Sequence, residues 1–76
     1  MGMEFKYTKI TYDGTVIHTN DNLTLSEMQQ FVCGYIEYVG NIICNEDGRE
    51  LKLPSNKLYP KFLGNIIIQN RFDPED

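Results

Sequence analysis

The chain has no tryptophan, a single histidine, two cysteines and no apolar run long enough to span a bilayer. Each scarcity closes a class of function. Cys33, Cys44 and His18 cannot supply four metal ligands, because no CxxC or HxxxH spacing exists. The two cysteines read as buried thiols in a reducing compartment rather than as a disulfide framework. The start lacks the basic and apolar regions of a secretion signal, so a cytoplasmic, non-membrane protein is expected. Met1-Gly2 does not open a myristoylation motif, since Lys6 stands where Ser or Thr is needed. The sequon Asn22-Leu23-Thr24 would matter only in a secreted chain. No Walker or dinucleotide glycine motif occurs, because Gly40, Gly48 and Gly64 fall singly in turns, which excludes an ATP-driven mechanism.

What is present is one small domain's worth of chain. Seventy-six residues bury only about 60% of the unfolded surface, so the core is marginal and a homo-oligomer, dimer or higher, is expected. The net charge of −4 is unevenly spread. From Ile10 to Asp47 there are six acids and no Lys or Arg, whereas Gly48 to Phe72 holds Arg49, Lys52, Lys57, Lys61 and Arg71 against Glu50 alone. An acidic total excludes broad nucleic-acid binding, which needs many phosphate contacts. A local basic cluster can still hold a small anion, or can simply be a solvated face.

The pattern along the chain predicts an α+β domain over 1–72 with a frayed acidic tail over 73–76: a mainly antiparallel sheet of about five strands on one main helix, plus a short second helical turn. Glu4 to Tyr12 alternates with a two-residue period. Asp13-Gly14 signals a two-residue hairpin with both positions at positive φ, and Thr15 to Thr19 returns. Thr24-Leu25-Ser26-Glu27 fits a capping box, so a helix starts there. Leu25, Met28, Phe31 and Val32 recur on one face, with Leu25, Met28 and Val32 taken as core, and Gly34 is placed to end the helix in a left-handed conformation. Tyr35 to Val39 and Ile42 to Asn45 form a second hairpin through Gly40-Asn41. Alternation puts Ile36 and Tyr38 on one side and Tyr35, Glu37 and Val39 on the other, so that if the first side meets the helix, Tyr35 and Glu37 face away from it. Arg49 to Leu53 suits a brief edge strand closed by Pro54. Ser55 or Asn56 suits the cap of a helical turn over Lys57 to Phe62, limited by Pro60. Ile66-Ile67-Ile68-Gln69 has the continuous apolar character of a buried central strand.

Catalysis has little to work with. Glu37 with Glu46 is the only carboxylate pair to consider for acid-base hydrolysis. A cysteine nucleophile needs a neighbouring base, and His18 lies on a different element. No enzyme and no cofactor is therefore expected. Binding is better supplied. Arg49, Lys52, Lys57 and Lys61 offer cations, Asn45, Asn56 and Asn65 offer amides, and Tyr35, Tyr38, Tyr59 and Phe62 offer ring faces. That mixture suits the phosphates, base edge and stacking face of a small anionic nucleotide. The bland alternative makes the aromatics core, the asparagines turn formers and the lysines a solvated face. A pocket shared between two protomers would supply the concavity that one small sheet lacks.

Three segments carry a resemblance: Gln29 or Gln30 with Val32, Gly34, Tyr35, Ile36 and Glu37; Asn45-Glu46-Asp47-Gly48; and Leu53-Pro54-Ser55-Asn56, followed by Gly64-Asn65-Ile66-Ile67-Ile68. Over Leu25 to Ile68 they resemble a small domain family of unassigned function, encoded mostly by bacteriophages, their bacterial relatives and some large DNA viruses. Cys33 replaces the family's usual Gly, and Lys57-Leu58-Tyr59-Pro60 stands where the family has an Ala-rich turn. The resemblance implies a phage-type accessory protein of the host cytoplasm and no known reaction. Two expectations follow. The first is sequestration, without cleavage, of a cyclic or ADP-ribose-derived immune nucleotide by Tyr35, Glu37, Asn45, Arg49, Lys52, Asn56, Lys57 and Lys61. The second is a protein-protein inhibitor or adaptor that covers a host defence protein through Asp21, Glu27 and Glu37.

Overall fold

A computed structural model describes residues 5–70. The expected start of the first strand at Glu4 and the acidic tail lie outside those residues. Five strands, β1 (Tyr7–Ile10), β2 (Val16–Thr19), β3 (Ile36–Val39), β4 (Ile42–Asn45) and β5 (Ile66–Gln69), form one antiparallel sheet in the order β2-β1-β5-β4-β3. The helix α1 (Leu25–Val32) carries the chain between the two edge strands and packs on β3, β4 and β5. The expected α+β architecture holds, and β5 is central, with Ile66 and Ile67 fully buried.

Two clusters make the core, one on each face of the sheet. On the helix face Met28 and Val32 meet Ile43 and Ile67, with Leu23, Phe31 and Ile36 packed around them. On the other face Ile10, Cys44 and Ile66 are covered by Phe62 from the long β4–β5 connection. Leu25 is not core as its spacing suggested: it is 58% exposed. Leu23, just before the cap, packs with Met28 instead as a hydrophobic staple. Tyr38 points to the helix side of the sheet, as expected, yet remains exposed, because only Ile36 of that pair reaches the cluster.

The turns follow local hydrogen bonding more closely than dipeptide rules. The first hairpin closes through Tyr12-Asp13-Gly14, flanked by a Thr11 N–H to Thr15 carbonyl bond, and only Gly14 takes positive φ (+94°). Asp13 stays out of the left-handed region because its carboxylate accepts from the Thr11 hydroxyl and the Thr15 N–H. The result is a three-residue loop ending in a left-handed glycine rather than a two-residue turn. The same two threonines hold the Asp13 carboxyl below the ordinary 3.8.

The capping box forms in both directions, Glu27 N–H to Thr24 Oγ1 at 3.1 Å and Thr24 N–H to Glu27 Oε1 at 2.9 Å. The other end departs from expectation. Cys33, not Gly34, is the left-handed residue (φ 67°), with its N–H on the Gln30 carbonyl and the Gly34 N–H on that of Gln29. This is a Schellman closure. Gly34 serves packing: a Cβ there would stand 2.8 Å from Asn45 Nδ2.

The β4–β5 connection holds neither the edge strand expected over Arg49 to Leu53 nor the second helical turn expected over Lys57 to Phe62. Residues 46–52 are consecutive turns, and Ser55 pairs with Leu63 in an isolated bridge. Asn56 does cap as expected, its Oδ1 accepting from the Leu58 and Tyr59 N–H groups. No helix follows: Pro60 has no N–H to make the first i→i−4 bond to the Asn56 carbonyl.

Candidate functional site

A groove of about 530 Å³ lies on the loop-covered side, between the β3–β4 hairpin and the turns that follow it. Val39 and Phe62 supply apolar walls. Among the described residues four carboxylates line it, Glu37, Glu46, Asp47 and Glu50, against two cations, Arg49 and Lys61. Glu37 faces it because strand alternation turns that side chain away from the helix, and the others arrive on the turns.

Of the residues expected to bind a ligand, the groove gathers Glu37, Asn45, Arg49 and Lys61. Lys52 is exposed on a left-handed turn (φ 54°) and does not line it. Lys57 packs its stem at the β1–β2 turn, where its N–H donates to the Tyr12 carbonyl. Tyr35, 68% exposed, precedes β3 and its carbonyl accepts from the Glu46 N–H. The segregation of cations along the chain is therefore not kept at the groove: the charges of its described lining residues sum to −2.

The asparagines are committed elsewhere. Asn45 donates from Nδ2 to the Val32 carbonyl at 2.9 Å and accepts the Asp47 N–H at 2.7 Å. Asn65 donates to the Phe31 carbonyl and accepts the Tyr12 N–H. Two asparagine amides thus satisfy the last carbonyls of α1, whose final turn has no basic residue. Asn56, 1% exposed, holds three carbonyls and two N–H groups at once. Asn56 has no donor left for a nucleobase edge, while Asn45 and Asn65 are each held in place by one bond donated and one accepted.

Histidine and cysteine do not meet. Thr8 Oγ1 lies 3.0 Å from His18 Nδ1, Phe5 stacks on the ring, and β2 is three strand spacings from β4, about 14 Å. Cys44 is buried, and burial, with the nearby Glu37 charge, pushes its thiol above the ordinary 9.0. That suits packing rather than nucleophilic attack. Cys33 is exposed and free. Among the described residues no group of three His, Cys, Asp or Glu could hold a metal ion, and no helix is long and apolar enough to cross a membrane.

The acidic face expected from Asp21, Glu27 and Glu37 is divided. Asp21 and Glu27 line a second groove of about 340 Å³ beside α1, where the Lys9 ammonium sits 5.2 Å from the Phe31 ring centre. Glu37 belongs to the larger groove. Sequence reasoning did not foresee Asp47 and Glu50 in that groove; the acidic turn Asn45-Glu46-Asp47-Gly48 was the available signal.

One more element adjoins the groove. The Glu46 N–H to Tyr35 carbonyl bond fixes the phase of the ladder, so Tyr35, Glu37 and Val39 bond to β4, while Ile36 and Tyr38 aim their N–H and C=O outward from the sheet. Comparisons with protein-family models, with curated proteins and with solved structures gave no match.

Proposed function

We propose that this domain is a non-catalytic binding module that docks an extended, basic segment of a partner protein along the outer edge of β3. The carrying observation is the juxtaposition of that edge with a groove in which four carboxylates outnumber two cations. An added strand would take main-chain bonds from Ile36 and Tyr38. Its side chains would alternate between the exposed Tyr38 ring on one side and Glu37 on the other. The resemblance to phage-encoded domains supplies the setting: an accessory protein in the host cytoplasm that covers a defence protein.

The test is a titration with short peptides of alternating lysine and apolar residues, beside matched glutamate peptides. Binding of the basic set alone, weakened by salt and lost on combined Glu37→Lys and Glu46→Lys substitution, supports the reading. Equal binding of both sets, or of neither, rejects it.

A second reading, sequestration of an immune nucleotide without cleavage, is favoured by Arg49 and Lys61, which share the groove with the Phe62 ring. Incubation with cyclic dinucleotides and ADP-ribose derivatives, then heat release, decides it. Unaltered nucleotide retained by the native chain and lost on Arg49→Ala supports sequestration; altered nucleotide or no retention rejects it.

A further inference from the structure

The sheet has a second open edge, β2, and it differs in kind from β3. Helix α1 packs on β3, β4 and β5, and among the described helices and strands β2 contacts β1 alone. Val16 is 43% and Ile17 is 40% exposed. The strand reads Val16-Ile17-His18-Thr19, with no lysine, proline or carboxylate of the kind that natural edges use against unwanted pairing. Its one polar ring is held on a single face, since His18 stacks on Phe5 and meets Thr8. Among the described residues no strand pairs with the outer side of β2.

The ladder's phase says which groups that edge presents. The Thr11 N–H bonds the Thr15 carbonyl, so by alternation Ile17 and Thr19 bond to β1, while Val16 and His18 direct their N–H and C=O outward. These outward groups are spaced to satisfy copies of themselves. In a two-fold antiparallel pairing each Val16 exchanges bonds with the other copy's His18. Ile17 then falls on the axis opposite its own copy, in the closely approaching pair whose Cα atoms lie about 4.5 Å apart. β3 is less suited to a second copy, because self-pairing there brings Glu37 toward its own copy, whereas β2 brings no like charge.

We propose that β2 is a self-association edge: two copies of this chain join β2 to β2 about Ile17 and form one continuous ten-stranded antiparallel sheet. This inference uses the opposite edge from the partner-docking reading and does not depend on it. A four-residue edge buries little surface, so the dimer dissociates on dilution.

Light scattering or sedimentation across the soluble concentration range tests it. The expected mass rises toward twice the 8.8 kDa of the chain. Ile17→Lys and Ile17→Glu are each expected to stay monomeric, and their equimolar mixture to regain the dimer, because opposite charges then meet on the axis. Val16→Pro removes an outward N–H without touching the β1 ladder and is expected to give a folded monomer, checked by circular dichroism. A native chain monomeric at every concentration overturns the proposal. So does a dimer that survives both Ile17→Lys and Val16→Pro.

Discussion

The two faces of the sheet are covered by different means. On one, an eight-residue helix lays Met28 and Val32 on Ile43 and Ile67, and its position follows from apolar spacing and a capping box. On the other, a connection with no regular element of its own is tied down by Asn56 and by turns. The first face is secured mainly by apolar area; the second joins an apolar cluster under Phe62 to the Asn56 amide, which replaces missing backbone partners. Turns can present charged side chains outward at several successive positions, and the groove lies on that second face. Order there depends on a few polar atoms rather than on a periodic stripe.

That contrast can be broken from either side. Ile67→Ala, in the fully buried helix-side cluster, should cost about 4 kcal/mol as a cavity and lost transfer energy, read as a lower urea midpoint. A loss under 1 kcal/mol would show that the helix-side core is loose. Asn56→Ala should cost about 3 kcal/mol, since buried carbonyls and N–H groups lose their partner. Its amide exchange should rise first at Leu58 and Tyr59, while α1 stays protected. Simultaneous exposure of both regions would contradict the division between faces.

Smaller effects sharpen it. Cys33→Gly should stabilise the chain by about 0.5–1 kcal/mol, because relief of the left-handed strain exceeds glycine's added unfolded-state entropy. Thiol labelling should modify Cys33 rapidly and Cys44 only on unfolding, since one is exposed and the other is buried with a raised thiol. Asp13 titrates below 3.8 in the folded chain, so its contribution is complete above that value and is lost as pH falls through the lower folded value. Asp13→Asn should remove that part of the acid sensitivity, visible as a shallower fall of melting temperature below pH 3.8. An unchanged acid limb would remove Asp13's carboxylate from the turn's account.

The legible parts of the chain were those with local signatures. Period-two alternation marked the strands, Thr24 and Glu27 marked the helix start, and the isoleucine run marked β5. The β4–β5 connection was misread because Asn56 bonds to Ile10 and Thr11, more than forty positions earlier, and such bonds leave no periodic trace. Gly34 was read as the left-handed position when Cys33 holds it, because a glycine needed for close approach to Asn45 looks the same in sequence as one needed for φ. The groove was half visible. Glu37 followed from alternation, whereas Lys52 and Lys57 were grouped with Arg49 by chain proximity and the turns send them elsewhere.

The docking account is tested most directly by amide hydrogen exchange at β3, with and without a saturating basic strand peptide. The N–H groups of Ile36 and Tyr38, which face outward in the free chain, should gain protection, and Glu37→Lys should abolish the gain. Unchanged exchange at those two amides while the peptide is bound would contradict strand addition at this edge.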